Sequence, residues 1–149
     1  AVMRDYRYII LNRPAPPAIG RGLVWHVKAP LDAASMQQAA YRLVGKHDFT
    51  SFRALACQAV SPVRTVNHFS VLRCDDQIIL DVSARSFLHH QVRNFVGTLK
   101  LVGTGMWPVN RVSDVLSARD RRMAGPTAPA GGLTLTRVHY PRDPFAEQQ

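Results

Sequence analysis

Apolar side chains recur along this 149-residue chain with two different periods, and each period predicts a different kind of element. Alternating apolar positions, together with β-branched and aromatic residues, are typical of strands. Apolar residues spaced three and four apart are typical of one face of a helix. The predicted strands are 6–12, 23–28, 64–74, 77–85 and 133–140, and the predicted helices are 33–44, about 86–103 and 110–118.

Local signals set the limits of several of these elements. Asp32 is a suitable N-cap for the helix at 33–44, and Gly45 is a suitable residue to end it. Asp75-Asp76 predicts a tight turn that joins two strands in a hairpin. The order of strands and helices predicts an α+β fold, with a mixed, largely antiparallel sheet and helices packed on one face.

The segment 81–97 changes from the strand period to the helix period. Ser86 is a suitable N-cap, and the apolar stripe that follows comprises Leu88, Val92, Phe95, Val96 and Leu99. This register places Arg93 about one turn inside the helix, at the edge of its buried face. A guanidinium there is costly unless it meets an anion. A carboxylate of this chain, such as Asp81, and a functional partner explain the pattern equally well.

The charge of the chain is strongly positive and is carried almost entirely by arginine. Lys and Arg total 19 against 10 Asp and Glu, a net charge of +9, and the only lysines are Lys28 and Lys100. The planar fork of arginine fits phosphates and stacks on bases. The composition therefore favours a nucleic-acid partner over a membrane surface, although an arginine-rich proteome would produce the same balance.

Several features point to a cytoplasmic protein. No apolar run reaches the length of a membrane-spanning helix, and no signal-peptide pattern opens the chain. Cys57 and Cys74 are too far apart in sequence to resemble a metal-binding pair. We expect both thiols to be reduced and at least half-buried, as in a cytosolic protein.

Metal and hydrolase chemistry are both disfavoured. The adjacent His89 and His90 would diverge by about 100° on a helix, and neither an HExxH motif nor a CxxC pair is present. Asp81, His68 and Ser83 supply the residue types of a hydrolytic triad, but no GxSxG motif accompanies them. We predict neither a metal site nor a triad.

Two tyrosines in the first strand have different expected roles. Tyr8 is expected in the core or on a sheet face. Tyr6 has Arg4 and Arg7 as neighbours, so its ring is either another sheet-face residue or a surface on which a base stacks.

Five sequence blocks together closely resemble the tRNA pseudouridine synthase A family. Each block is short, but they occur in the family's order and extend over nearly the whole chain. The blocks are 6–10 (Tyr-Arg-Tyr-Ile-Ile), 47–53 (His-Asp-Phe-Thr-Ser-Phe-Arg), 61–65 (Ser-Pro-Val-Arg-Thr), 87–99 with its Phe-Leu-His-His-Gln-Val-Arg-Asn start, and 128–133 (Ala-Pro-Ala-Gly-Gly-Leu).

The resemblance implies an enzyme that converts uridine to pseudouridine in the anticodon stem-loop of tRNA. The family breaks the glycosidic C–N bond, turns the base while it stays bound, and rejoins it through carbon. It uses no metal and no organic cofactor. The resemblance also implies a cytoplasmic homodimer whose target nucleotide leaves the helical stack.

The resemblance also assigns roles to particular residues. Tyr6 matches the active-site tyrosine that packs against the target base, Arg93 matches the arginine that pairs with the catalytic aspartate, and Leu133 matches an apolar residue of the same pocket. The candidates for binding the phosphates of the RNA backbone are Arg119, Arg121 and Arg122.

One block of the family does not occur in this sequence. The catalytic aspartate of the family lies in a Gly-Arg-Thr-Asp-Ala-Gly block, ahead of the tyrosine strand. We therefore expect residues 1–141 to form the C-terminal domain of such a synthase, with 142–149 as a polar tail, and to be inactive alone. We also expect self-association through an exposed strand edge or apolar face. The alternatives are a non-catalytic RNA-binding module with a synthase-like fold and a basic scaffold that binds no RNA.

Overall fold

The computed structural model describes residues 3–17, 23–54 and 61–139. Its strands are β1 (Met3–Asn12), β2 (Trp25–Val27), β3 (Gly45–Asp48), β4 (Val63–Cys74), β5 (Gln77–Ala84) and β6 (Leu133–His139). Its helices are α1 (Ala33–Tyr41), α2 (Gln91–Gly103) and α3 (Arg111–Ala118). Single 3-10 turns lie at Thr50–Phe52, Arg121–Met123 and Ala130–Gly132.

The strands form one mixed, largely antiparallel sheet in the order β2-β1-β5-β4-β3. Strands β4 and β5 form the predicted hairpin, and β5 pairs with almost the whole length of β1. The other side of β1 is shared, because β6 pairs antiparallel with Met3–Tyr8 and β2 pairs parallel with Ile10–Asn12. The predicted α+β fold is confirmed.

The core lies between one face of this sheet and the helices. Alternate residues of the central strands are buried there, including Tyr8, Ile10, Val71, Leu80 and Val82. The whole predicted apolar stripe is buried as well, with Leu88 in the turn before α2 and the other members in α2. Phe95 of α2 is fully buried and its ring lies 5.0–5.5 Å from three other phenylalanine rings, those of Phe49, Phe52 and Phe69. The alternation thus sends polar residues such as Asp81 to the opposite face.

Several predicted limits differ from the structure. Helix α1 ends at Tyr41, and Gly45, predicted to end it, is the first residue of β3. Helix α2 begins at Gln91 with His90 as its N-cap, not after Ser86. The reason is a side-chain bond: the Gln91 Oε1 atom accepts the Leu88 N–H at 2.7 Å and holds residues 88–91 in a turn outside the helix. Residues 45–48, for which no strand was predicted, form β3, which pairs with the start of β4. The N-cap role of Asp32 is confirmed.

The predictions for the cysteines and the tail have different outcomes. Cys74 is a free thiol and is exposed, because it ends β4 at the hairpin turn, so the expectation of burial was wrong for this residue. Cys57, Tyr140 and the tail 142–149 lie outside the described residues. Within the described part of the chain, no helix has the length and apolar character needed to cross a membrane.

Candidate active site

Three residues assigned to the pocket from the sequence line one open cleft of about 380 Å³. Tyr6 comes from β1, Arg93 from the first turn of α2, and Leu133 from the first position of β6. The sheet register explains the meeting of the two strands, because Leu133 pairs with Tyr8, two residues from Tyr6. Tyr6 and Leu133, which are far apart in sequence, thus face the same space.

The two tyrosines of β1 occupy different environments. The Tyr6 ring is half-buried and meets the edge of Phe87 at 5.3 Å and 81°, and its hydroxyl has no hydrogen-bond partner among the described residues. Tyr8 is fully buried and donates a 2.6 Å hydrogen bond to the Pro129 carbonyl, so the expected core position is confirmed. Burial raises the pKa of the Tyr8 hydroxyl far above its usual value. Tyr8 is therefore structural, while Tyr6 is available to a ligand.

The Arg93 guanidinium is held through its Nε atom, and its two terminal Nη groups remain available. Its Nε donates to the Ala128 carbonyl at 2.8 Å, and the Ala128 N–H donates to the Arg93 carbonyl at 3.1 Å. The two terminal Nη groups have no hydrogen-bond acceptor in the described part of the chain. A guanidinium fixed in this way at a cleft can pair with a carboxylate or phosphate.

Asp81 is not the partner of Arg93. Its carboxylate accepts two hydrogen bonds from Arg7, at 2.8 and 3.2 Å, on the opposite face of the sheet. These hydrogen bonds and the negative charge of Asp81 raise the pKa of Arg7. The explanation of Arg93 by an ion pair with Asp81 was wrong, because adjacent strands place Arg7 directly beside Asp81.

A loop crosses α2 at very short range and positions Ala128. Gly97 and Gly125 form the crossing point, since a Cβ atom on Gly97 would lie 1.6 Å from the Pro126 carbonyl oxygen. The Thr98 hydroxyl accepts the Gly125 N–H at 2.9 Å. The absence of a side chain at Gly97 therefore allows the contact that orients Arg93.

The three arginines predicted to bind phosphate lie outside this cleft and differ in their contacts. Arg119 is 70% exposed and lies 3.7 Å from a carboxylate oxygen of Asp48. Arg122 is exposed and makes a bidentate pair with Asp120. Arg121 is directed inward and donates to three groups, the Gly125 carbonyl, the Asn94 side chain and the Thr127 hydroxyl. Arg119 is thus the most available of the three.

Because their contacts differ, substitutions of Arg121 and Arg122 should have different effects on the free energy of unfolding. Arg121→Ala removes three hydrogen bonds, two to the loop and one to Asn94 of α2, so we expect it to lower the free energy of unfolding by about 1–3 kcal/mol. Arg122→Ala removes only an exposed ion pair and is expected to leave that free energy unchanged. Urea denaturation of both variants measures the difference. Equal stabilities would contradict a structural role for Arg121.

A second, separate depression lies beside Arg119. Arg53, which was not predicted as a site residue, lines it together with Arg119 and Arg121. The Ala54 N–H donates to the His89 carbonyl at 2.9 Å, which connects this region to the rim of the cleft. The signal that could have identified Arg53 is its position at the end of the block 47–53.

The structure also describes the residues considered for metal and hydrolase chemistry. Among the described residues, no three His, Cys, Asp or Glu side chains are grouped so as to hold a metal ion. His68, Asp81 and Ser83 do line one depression on the opposite face of the sheet. Asp81 is bound to Arg7, however, and no hydrogen bond joins the three side chains to one another.

Residues 39–141 match the profile of a family described as tRNA pseudouridine synthase. The chain belongs to the tRNA pseudouridine synthase family. The matched region includes Arg93, Arg119 and Leu133, whereas Tyr6 lies before it. The resemblance drawn from the five sequence blocks is confirmed.

Three relatives illustrate the similarity, and each is named tRNA pseudouridine synthase A. The protein from Acidiphilium cryptum is 61% identical over 97% of this chain and 57% of its own length. The Gluconobacter oxydans protein is 55% identical over 97% of this chain and 53% of its own length. The Rhodospirillum centenum protein is 58% identical over 92% of this chain and 56% of its own length. The chain spans little more than half the length of these relatives.

Proposed function

We propose that this chain forms the C-terminal domain, 1–141, of a tRNA pseudouridine synthase that isomerises uridine in the anticodon stem-loop. The observation that carries the proposal is the convergence of Tyr6, Arg93 and Leu133 on one cleft. The cleft combines an aromatic ring, an apolar wall and an available guanidinium. A base that has left its helical stack needs such a pocket.

The geometry supports a distinct role for each residue. Tyr6 offers its ring to the uracil face, and its hydroxyl, which has no partner among the described residues, is available for proton transfer at carbon 5. Leu133 forms an apolar wall, and Arg93 pairs with the nucleophilic carboxylate and lowers the pKa of that group. The reaction breaks the bond from N1 to C1′, joins C5 to C1′, and replaces the C5 hydrogen by one on nitrogen. The base is therefore isomerised without net oxidation.

We further propose that the nucleophilic carboxylate comes from outside these 149 residues. Within the described part of the chain, no Asp or Glu lines the cleft. Arg93 also has two Nη groups without a hydrogen-bond acceptor there. A carboxylate approaching from the open side of the cleft would satisfy them.

Arg119 and Arg53 are proposed to hold the RNA backbone beside the cleft. Arg119→Ala is expected to weaken tRNA binding and to reduce the slope of log affinity against log salt by about 1. Fluorescence anisotropy with labelled tRNA at several salt concentrations measures both quantities. Arg137→Ala is the matched control, because it removes the same charge from an exposed position on the opposite face of the sheet. An equal effect of the control would contradict a defined RNA path.

We propose that the protein acts in the cytoplasm as a homodimer. An apolar row on the helix-free face of the sheet supports association, because Ile9, Ile79 and Leu72 are aligned across three strands. Leu72 is 65% exposed. Sedimentation at micromolar concentration is expected to show a dimer that Leu72→Asp converts to monomer. A monomeric unmodified chain would contradict the proposal.

A non-catalytic RNA-binding module is the second candidate. The observation that favours it is the lack of a carboxylate in the described lining of the cleft. Both candidates predict tRNA binding at low salt, so a chain that binds no tRNA would contradict both. Only the synthase proposal predicts pseudouridine formation when the carboxylate is supplied.

A further inference from the structure

The turn before α2 contains a strained residue at the rim of the cleft. His90 has a φ of +62°, in the left-handed region that residues other than glycine rarely adopt. This strain has an energetic cost, and strained residues of this kind concentrate at functional sites. His89 and His90 both line the cleft beside Tyr6 and Arg93. The strain therefore lies at the candidate active site and not in a remote loop.

Four hydrogen bonds hold the turn in this conformation. Leu88 and Gln91 exchange two bonds, since the Gln91 N–H donates to the Leu88 carbonyl and the Leu88 N–H donates to Gln91 Oε1. The His90 carbonyl accepts from Asn94 at 2.9 Å, and the His89 carbonyl accepts from Ala54 at 2.9 Å. The turn is fixed both within itself and against neighbouring segments.

The fixed turn presents two stacked rings. The imidazoles of His89 and His90 are nearly parallel, at 27°, with their centroids 3.9 Å apart. His90 is half-buried, and its burial, together with the nearby charges of His89 and Arg93, lowers its pKa. His89 is exposed. An exposed flat ring supported by a second ring resembles the aromatic surfaces on which nucleobases stack.

We infer that His89 stacks on the nucleobase adjacent to the flipped uridine. This inference rests on the proposed function and adds a residue that neither the sequence blocks nor the family match assigns to a role. A neighbouring base loses one stacking partner when the uridine leaves the helix, and the ring pair lies in the same cleft that would receive the uridine. The turn holds His89 in place before RNA arrives, which reduces the entropy lost on binding.

The test uses the 149-residue chain and three RNA hairpins. The first hairpin has one uridine in its loop flanked by purines, and the other two lack the base on its 5′ or its 3′ side. His89→Ala is expected to weaken binding of the first hairpin about tenfold. For one abasic hairpin the variant and the unmodified chain should bind equally. His89→Phe, which keeps a flat ring, should restore affinity, and His68→Ala is the control on the opposite face.

Each outcome distinguishes this inference from the proposed function. An equal loss on all three hairpins, no loss on the first, or a loss with His89→Phe as large as with His89→Ala would overturn the stacking role. Failure of the unmodified chain to bind any hairpin would overturn the proposed function and this inference together. Binding that is unaffected by His89→Ala would overturn the inference alone.

Discussion

Arg93→Met is expected to slow pseudouridine formation by about a hundredfold or more, because it removes a preorganised partner of the reacting carboxylate. The rate of pseudouridine formation is measured with the chain joined to a segment that supplies the nucleophilic carboxylate. tRNA affinity should change far less than the rate, since we propose that Arg119 and Arg53, and not Arg93, hold the RNA backbone. The measurement is the single-turnover rate alongside the affinity for tRNA.

The pH profile separates this positioning role from a merely structural one. A nearby guanidinium lowers the pKa of a carboxyl group, so its removal raises that pKa. The acidic limb of the rate profile should therefore move to higher pH in Arg93→Met. Arg93→Lys keeps the positive charge but loses the planar fork of donors. Its acidic limb should lie between those of Arg93→Met and the unmodified protein, and its rate should stay below that of the unmodified protein. An unmoved acidic limb would show that Arg93 does not act on the nucleophile.

Gly97→Ala is expected to destabilise the protein strongly, because among the glycines that the structure describes it has the closest backbone contact for an added Cβ atom. The new Cβ would lie 1.6 Å from the Pro126 carbonyl oxygen, which is backbone and cannot rotate away. The loop must separate from α2, with loss of the bonds from Gly125 to Thr98 and between Ala128 and Arg93. We expect a decrease of about 2–4 kcal/mol in the free energy of unfolding. Urea denaturation measures it.

Gly103→Ala is the matched control in the same helix. Its Cβ would lie 2.7 Å from the Met36 sulfur, at the far end of a flexible side chain that can adjust. Alanine also has the higher helix propensity, so the net cost should be about 1 kcal/mol. Equal costs at the two glycines would contradict the account of the loop crossing.

Much of the fold followed from the sequence because its patterns are local. The hairpin, α1 with its Asp32 cap, and the buried stripe of α2 each depend on neighbouring residues. The start of α2 did not follow, since Ser86 is a good cap by type, and only the bond from Leu88 to Gln91 Oε1 shows that the helix starts later. Strand β3 was missed because its pairing with β4 is a tertiary contact.

The candidate site was predictable only in part. Tyr6, Arg93 and Leu133 were assigned through the family resemblance, and the sheet register then explains their meeting. No pattern indicated that Arg93 bonds to Ala128, that Arg121 points inward, or that Asp81 pairs with Arg7. Such contacts depend on the packing of distant segments, which periodicity and spacing do not encode.

Tritium release from tRNA labelled at carbon 5 of uridine tests the central claim most directly, because the isomerisation removes that hydrogen. The chain alone is compared with the same chain joined to the part of the Acidiphilium cryptum relative that it does not match, where the family's aspartate block is expected. We predict no release by the chain alone and release by the joined protein. Release by the 149 residues alone would contradict an external nucleophile. A joined protein that binds tRNA without releasing tritium would contradict the synthase proposal and favour the RNA-binding module.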